Sequence, residues 1–190
     1  MDQDENLREQ IIKTAEQAFA ESGLKFRMQD IAEATHISKK TIYTQFPSKE
    51  ELLLAMLQEG FGRIALCKQE IMNSSLPGPE KLRQVMIALP DDYRQIDFGQ
   101  MDDLRDKFPT VADALDGYLQ GGWESVEELI RQGIAEGWLR EEVDISMLEA
   151  VFVASLKGFL EGEELRKRGI TYQAALNGLM DLLMRGILKN

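Results

Sequence analysis

Cysteine and histidine are nearly missing from this chain: there is one of each in 190 residues, Cys67 and His36. Metal centres and nucleophilic catalytic sites take many of their ligands and bases from these two residue types, so single, widely separated copies remove the usual starting points for both. No Gly-rich phosphate loop follows a strand pattern. The acidic pairs Asp91-Asp92 and Asp102-Asp103 are adjacent, a spacing that points neighbouring side chains in different directions on a helix. Catalysis therefore has no convergent constellation to rest on, and no cofactor or metal is expected. Cys67 has no partner for an internal disulfide, which fits a reducing compartment. Long apolar runs are also lacking: none approaches the roughly 18 residues of a membrane span, and MDQDENLREQ has no basic-then-apolar order. A cytoplasmic protein with no membrane partner is the expectation. β-like alternation and internal repeats are absent too, so the chain reads as all-α.

Positive charge is the remaining deficit. Twenty-two Lys and Arg stand against 33 Asp and Glu, giving a formal net charge of −11 and a pI near 4.7. A chain this acidic is repelled by phosphate unless its basic groups gather on one face. Residues 34–49 make that gathering: they contain no acid, three lysines (Lys39, Lys40 and Lys49) and His36.

The same stretch carries a helix-turn-helix pattern. In MQDIAEATHISKKTIYTQFPSKEELLL, Met28, Ile31 and Ala32 recur at helical spacing, Thr35-His36-Ile37 form a turn, and Ser38 is a good N-cap for a second helix. That helix has only Ile42 and Phe46 as apolar positions. Around them stand Ser38, Lys39, Lys40, Thr41, Tyr43, Thr44 and Gln45, a set of hydrogen-bond donors suited to double-stranded DNA.

Residue identity resembles the signature of the tetracycline-repressor (TetR) family of bacterial transcription regulators, approximately I-A-x-x-A-G-V-S-x-x-T-L-Y-x-x-F-x-S-K-E-x-L. Ile31, Ala32, Ser38, Thr41, Tyr43, Phe46, Ser48, Lys49, Glu50 and Leu52 fall on matching positions, and Ile11, Ala15, Ala18, Phe19 and Gly23 match the family's first helix. The specific resemblance covers about the first sixty residues. Two positions depart from it. His36 stands where the family has a turn glycine, at a site that calls for positive φ. Arg27 stands where a threonine commonly caps the second helix, losing the cap and offering a phosphate contact instead.

Organisation along the chain follows from its punctuation. Asn6 is positioned to cap a first helix striped by Leu7, Ile11, Ala15 and Ala18, and Gly23 to end it. Ser48-Lys49-Glu50-Glu51 opens a long helix with a Ser-x-x-Glu capping box, and Asn73-Ser74-Ser75-Leu76-Pro77-Gly78-Pro79 closes it. Further helices are expected at 96–107, 110–136, 145–162 and 171–189. The resulting architecture is a DNA-binding domain of three helices at 1–47 and a helical ligand-binding and dimerisation domain at 48–190, with about nine helices in all.

On the last two helices, Val151, Ala154, Ser155 and Gly158 share one side, as do Ala175, Leu179, Leu182 and Leu183. Small residues on apolar faces let helices approach closely. The resemblance implies that these helices pair with their copies in a second subunit as a four-helix bundle. Such a homodimer is expected to place two recognition helices about one DNA turn apart, roughly 34–36 Å, or at the somewhat wider spacing typical of the family, so the operator should be a near-palindrome.

Within this frame Lys39, Lys40, Thr41 and Gln45 are candidates for base edges. Ser38, Tyr43, Thr44 and Lys49 are candidates for phosphates, with Lys25 and Arg27 beside the backbone. Nine methionines suit an adaptable apolar cavity. Phe61, Met86, Phe98, Met101, Trp123 and Phe152 are its candidate lining, four of them because the resemblance assigns their helices to the pocket. The effector is expected to be a small hydrophobic molecule, and the acidic balance hints at a neutral or cationic one. Ligand-released repression is the mechanism the resemblance implies. A protein-interaction module that has lost DNA affinity, and a corepressor-dependent regulator or activator, remain open readings.

Overall fold

The computed structural model describes residues 3–91, 93, 103–161 and 163–189. Eleven α-helices follow one another among them: α1 (Gln3–Ser22), α2 (Met28–Thr35), α3 (Lys39–Gln45), α4 (Lys49–Asn73), α5 (Gly78–Met86), α6 (Leu104–Lys107), α7 (Pro109–Gln120), α8 (Glu124–Ala135), α9 (Ile145–Glu161), α10 (Glu163–Arg168) and α11 (Tyr172–Ile187). A 3-10 turn, Gly23–Lys25, joins α1 to α2. No described helix is long and apolar enough to cross a membrane.

Local chemistry sets most of the boundaries. α1 ends where Gly23 takes φ 57°, a conformation glycine adopts without a Cβ penalty. Asn6 lies inside this helix rather than capping it, because the helical run already begins at Gln3. Ser38 Oγ accepts from the Thr41 backbone N–H at 3.1 Å, Ser48 Oγ from Glu51 at 3.1 Å and Thr171 Oγ1 from Ala174 at 3.2 Å.

Three expectations for the second half need correction. The helix anticipated over 110–136 is two helices, because Gly121-Gly122, with Gly122 at φ 74°, breaks it and turns α8 away from α7. The short α10 adds a helix before Gly169 (φ 65°) and the cap at Thr171. Of the helix anticipated over 96–107, only α6 lies in the described residues, and Phe98 and Met101 fall outside them. Eleven segments thus stand where about nine were expected.

Two apolar clusters hold these helices. The first joins Ile11, Ile12, Ala15, Ile31, Ile42, Phe46 and Leu52, and it continues across the 47/48 boundary to Leu104, Val111 and Ala112. The second joins Leu82, Val85, Trp123, Ile130, Leu139, Phe152 and Met180 from α5, α8, α9 and α11. Each fully buried Ile or Phe contributes roughly 1.5–3 kcal/mol. Short polar ties lock the second cluster: Arg83 pairs with Asp181 at 2.7 Å, and Arg140 N–H donates to the Ile187 carbonyl at 3.0 Å.

Trp138 is wedged where two glycines leave it room. A Cβ on Gly133 would meet its ring at 2.5 Å and one on Gly78 at 2.6 Å, whereas Gly62 in α4 faces open space. Gly133→Ala should therefore destabilise the protein by roughly 1–3 kcal/mol. Gly62→Ala should stabilise it by about 0.5–1 kcal/mol. The urea midpoints of the two variants should move in opposite directions, and a shift of the same sign in both would contradict the packing described. His36 offers a second test. Its left-handed conformation costs roughly 1–2 kcal/mol. Glycine at that position forfeits about 0.5–1 kcal/mol in chain entropy, so His36→Gly should raise the midpoint slightly.

Candidate nucleic-acid interface and effector cavity

The turn between α2 and α3 is built by its backbone. His36 caps α2 at φ 56°, ψ 28°, and its N–H reaches the α2 carbonyls of Ala32 and Glu33. The Ile37 N–H donates to Ala32 at 3.1 Å, and Thr35 Oγ1, buried, donates to the Ile31 carbonyl at 2.7 Å. This holds α3 at a fixed angle to α2. Ile42 and Phe46, both essentially inaccessible, pin α3 to the first core, with the Arg8 guanidinium 4.4 Å above the Phe46 ring.

Only one face of α3 is used in this way, so its remaining side chains point outward. Lys39 and Lys40 are exposed, and among the described residues neither side-chain ammonium makes a hydrogen bond or an ion pair; Lys39 Nζ lies 5.9 Å from the Tyr43 ring. Tyr43 is 40% exposed and Thr44 is exposed, its hydroxyl donating to the Lys40 carbonyl at 3.0 Å. Ser38 and Thr41 share a hydroxyl hydrogen bond of 2.7 Å at the helix start. Gln45 donates to the Asp4 carboxylate of α1, so its amide is engaged within the protein. Lys25 and Arg27 are exposed at the entry to α2.

Arg27 does not leave α2 uncapped. The Asp30 carboxylate accepts from the Arg27 backbone N–H at 2.8 Å and from its guanidinium at 3.0 Å, and these bonds hold Asp30 below the usual carboxylate range. An acid three residues into the helix is the capping-box spacing, legible in the sequence.

Lys49 departs from its expected place at a phosphate. Its ammonium turns inward and donates to the carbonyls of Leu24, at 2.6 Å, and Phe26, lying 4.1 Å above the Phe26 ring and 5.7 Å from that of Phe108. Burial pushes its pKa below that of a free lysine, against the opposing pull of Asp30.

Two of the cavities among the described residues are lined by α4. The smaller, about 150 Å³, is bounded by Phe19 of α1, Leu53, Leu57 and Gly60 of α4, and Val111 and Leu115 of α7. At its polar end Glu16 accepts from Tyr93 Oη at 2.8 Å and from Arg63, which also contacts Tyr93; a Cβ on Gly60 would strike the Tyr93 hydroxyl. Burial and the neighbouring Glu16 carboxylate raise the Tyr93 pKa. This cluster ties α1 to α4 across 47 residues of chain and to Tyr93 across 77, and it has no local sequence signal.

The larger cavity, about 890 Å³, gathers Phe61, Met86, Trp123 and Phe152, four of the six expected lining residues. Phe61 stacks on Tyr118 at 4.6 Å, and Trp123 meets Phe152 edge-on at 5.6 Å. Lys68 lines the same space, and its place was readable in retrospect: Phe61, Ala65, Lys68 and Met72 fall at helical spacing on one face of α4.

The expected dimer faces divide. Val151 (41%), Leu182 (71%), Ala154 and Gly158 are exposed, and Ser155, Leu179 and Leu183 are half-buried. Ala175 is buried within the chain itself, because it faces the protein's own interior. Met147, 60% exposed, extends the α9 face. Among the described residues no group of three or more His, Cys, Asp or Glu could hold a metal ion.

Residues 11–56 match the family described as bacterial regulatory proteins, tetR family. The chain is 24% identical over 168 residues, 88% of each protein, to the HTH-type transcriptional regulator YvaF of Bacillus subtilis (strain 168). It is 27% identical over 165 residues to the HTH-type transcriptional repressor AcnR of Corynebacterium glutamicum, covering 84% of this chain and 82% of that one. In fold it is similar to a TetR transcriptional regulator from Chloroflexus aurantiacus J-10-FL, with a TM-score of 0.72, 20% identity and all of both chains covered.

The inward Lys49 is open to a direct check. Lys49→Met leaves two carbonyls without their donor and should lower the stability of the DNA-free protein by about 1–3 kcal/mol, read from urea unfolding. Unchanged stability would return Lys49 to the list of outward-facing contacts.

Proposed function

We propose that this chain, whose residues 11–56 match the tetR family of bacterial regulatory proteins, is a DNA-binding transcriptional regulator of that family: a homodimeric repressor released from a palindromic operator by a small molecule. The observation that carries the reading is α3: a helix held by the buried Ile42 and Phe46, with Lys39 and Lys40 exposed at its start and their ammonium groups unpaired, in a chain of net charge −11. Residues 1–47 read DNA and residues 48–190 sense the effector and dimerise.

Lys39, Lys40, Thr41 and Gln45 face base edges, Gln45 after giving up Asp4. Ser38, Tyr43, Thr44, Lys25 and Arg27 hold the phosphate backbone, while Lys49 braces the unit from within. The partner subunit covers the α9 and α11 faces, where Val151 and Leu182 otherwise stand in water beside the small Ala154 and Gly158. Two subunits make the modest basic run sufficient, since each recognition helix contributes separately to an inverted repeat.

Release follows from linkage. α4, 25 residues and so roughly 37 Å long, bears Lys49 at one end and lines both cavities along its length. An effector that fits the larger cavity better when α4 is tilted draws the dimer toward a separation that misses successive grooves. The Glu16–Arg63–Tyr93 cluster passes the tilt of α4 to α1.

Selection from a random duplex library should enrich an inverted repeat bound by a dimer, and a set of variants should divide its contacts. Arg27→Ala should weaken all sequences alike and make the salt dependence shallower by about one unit of log–log slope. Lys40→Ala should relax preference at one position per half-site, a discrimination of roughly 1–3 kcal/mol. If Lys40→Ala and Gln45→Ala both leave the selected sequence unchanged, the assignment of base contacts is wrong. Absence of any enriched sequence at low salt would defeat operator recognition by the unliganded protein.

A further inference from the structure

The larger cavity is aromatic and aliphatic over most of its wall, yet α4 sets one ammonium into it. Lys68 follows Phe61 and Ala65 on the helix face that borders the space, with Met72 one turn beyond. Among the described residues its ammonium makes no hydrogen bond or ion pair. Burial lowers its pKa below that of a free lysine, opposed only by the charge of Glu124. Glu124 is the one acidic side chain on the cavity wall, and Lys68 the one cationic side chain, among the described residues. Glu124 is exposed in the first turn of α8, where a carboxylate already has a favourable place at the helix N-terminus. Lys68 is therefore the charge in this cavity left to be compensated, and an apolar wall cannot compensate it.

We propose that the effector is an amphipathic anion, whose carboxylate-like head pairs with Lys68 and whose elongated apolar tail lies along Phe61, Met86, Trp123 and Phe152. The inference rests on the reading of this cavity as the effector site and narrows it. It reverses the hint of a neutral or cationic ligand, because the net charge of the chain is an average whereas the ligand meets the field of the nearest group. The tail has somewhere to go: Phe61, Ile64 and Leu119 line both cavities, so apolar surface continues from Lys68 past the Phe61–Tyr118 stack toward the smaller space beside α1. Burying a flexible chain along this path expels water from the Lys68 end as well, which strengthens the ion pair formed there.

Calorimetric titration of the full-length protein with decanoate, 1-decanol and decyltrimethylammonium tests the assignment. Decanoate should bind at one molecule per chain, more tightly than the alcohol, with the cation weakest. Lys68→Met should weaken decanoate roughly tenfold or more, as loss of a charge-assisted bond does, and leave 1-decanol unchanged. Lys68→Arg should restore most of the affinity, and Glu124→Gln should tighten decanoate by removing the neighbouring negative charge. Gly62→Trp, whose added ring has open space on the cavity side, should block all three probes. Decanoate binding that survives Gly62→Trp would place the ligand elsewhere and overturn the cavity reading itself. Binding blocked by Gly62→Trp but indifferent to Lys68→Met would keep the cavity and overturn the anionic head. No binding of decanoate to the wild-type protein, or tighter binding of the cation, would likewise overturn it.

Discussion

The Lys49 ammonium occupies the point where three parts of this protein must agree. It fastens the chain entering α2, through the carbonyls of Leu24 and Phe26, to the first residue of α4, and it lies between the rings of Phe26 and Phe108. One cation thus sets the start of the long helix against both the reading unit and the α6–α7 corner. A hydrophobic residue could fill the volume but could not satisfy two carbonyls at a helix junction. The inward turn costs a phosphate contact and gives a fixed origin from which α4 can act as a rigid arm.

Electrostatics elsewhere in the molecule is local in the same sense. A net charge of −11 would keep DNA at a distance if charge were spread evenly, but screening confines each group to its neighbourhood, within roughly 8–10 Å at ordinary salt. Lys39 and Lys40 face outward with no acid paired to them, and Lys68 faces inward under the same condition. The surplus acids are partly spent on the fold itself: Asp116 takes Arg105 and Lys157, Asp103 takes Lys107, and Asp181 takes Arg83.

What the sequence disclosed and what it hid divide by range. The turn at His36, the caps at Ser38 and Ser48, and the end of α1 at Gly23 depend on neighbours three or four residues away, and a reader of the chain can place them. Lys49 satisfies carbonyls 25 and 23 positions back, Gln45 meets Asp4 across 41, and Tyr93 meets Glu16 across 77, distances over which periodicity carries no information. The missed break at Gly121-Gly122 was of another kind. Paired glycines were visible, but the apolar rhythm on either side was strong enough to be read through them. Phe61, Met86, Trp123 and Phe152 border one space because the last three already belong to the second apolar core, whose edge that space adjoins. Lys68 carries no signal of its own, because a lone lysine on a helix usually belongs to the solvated face.

The placement of the two tryptophans gives this protein a built-in optical division of labour. Trp123 stands in the wall of the larger cavity against Phe152, while Trp138 is clasped by Gly78 and Gly133 and donates to Glu136 at 3.0 Å, away from that space. Emission from the first indole would report a ligand taken up by that cavity; emission from the second follows the integrity of the helix packing around it. With either one replaced by phenylalanine, a single cuvette would separate binding from unfolding without any label attached to the molecule.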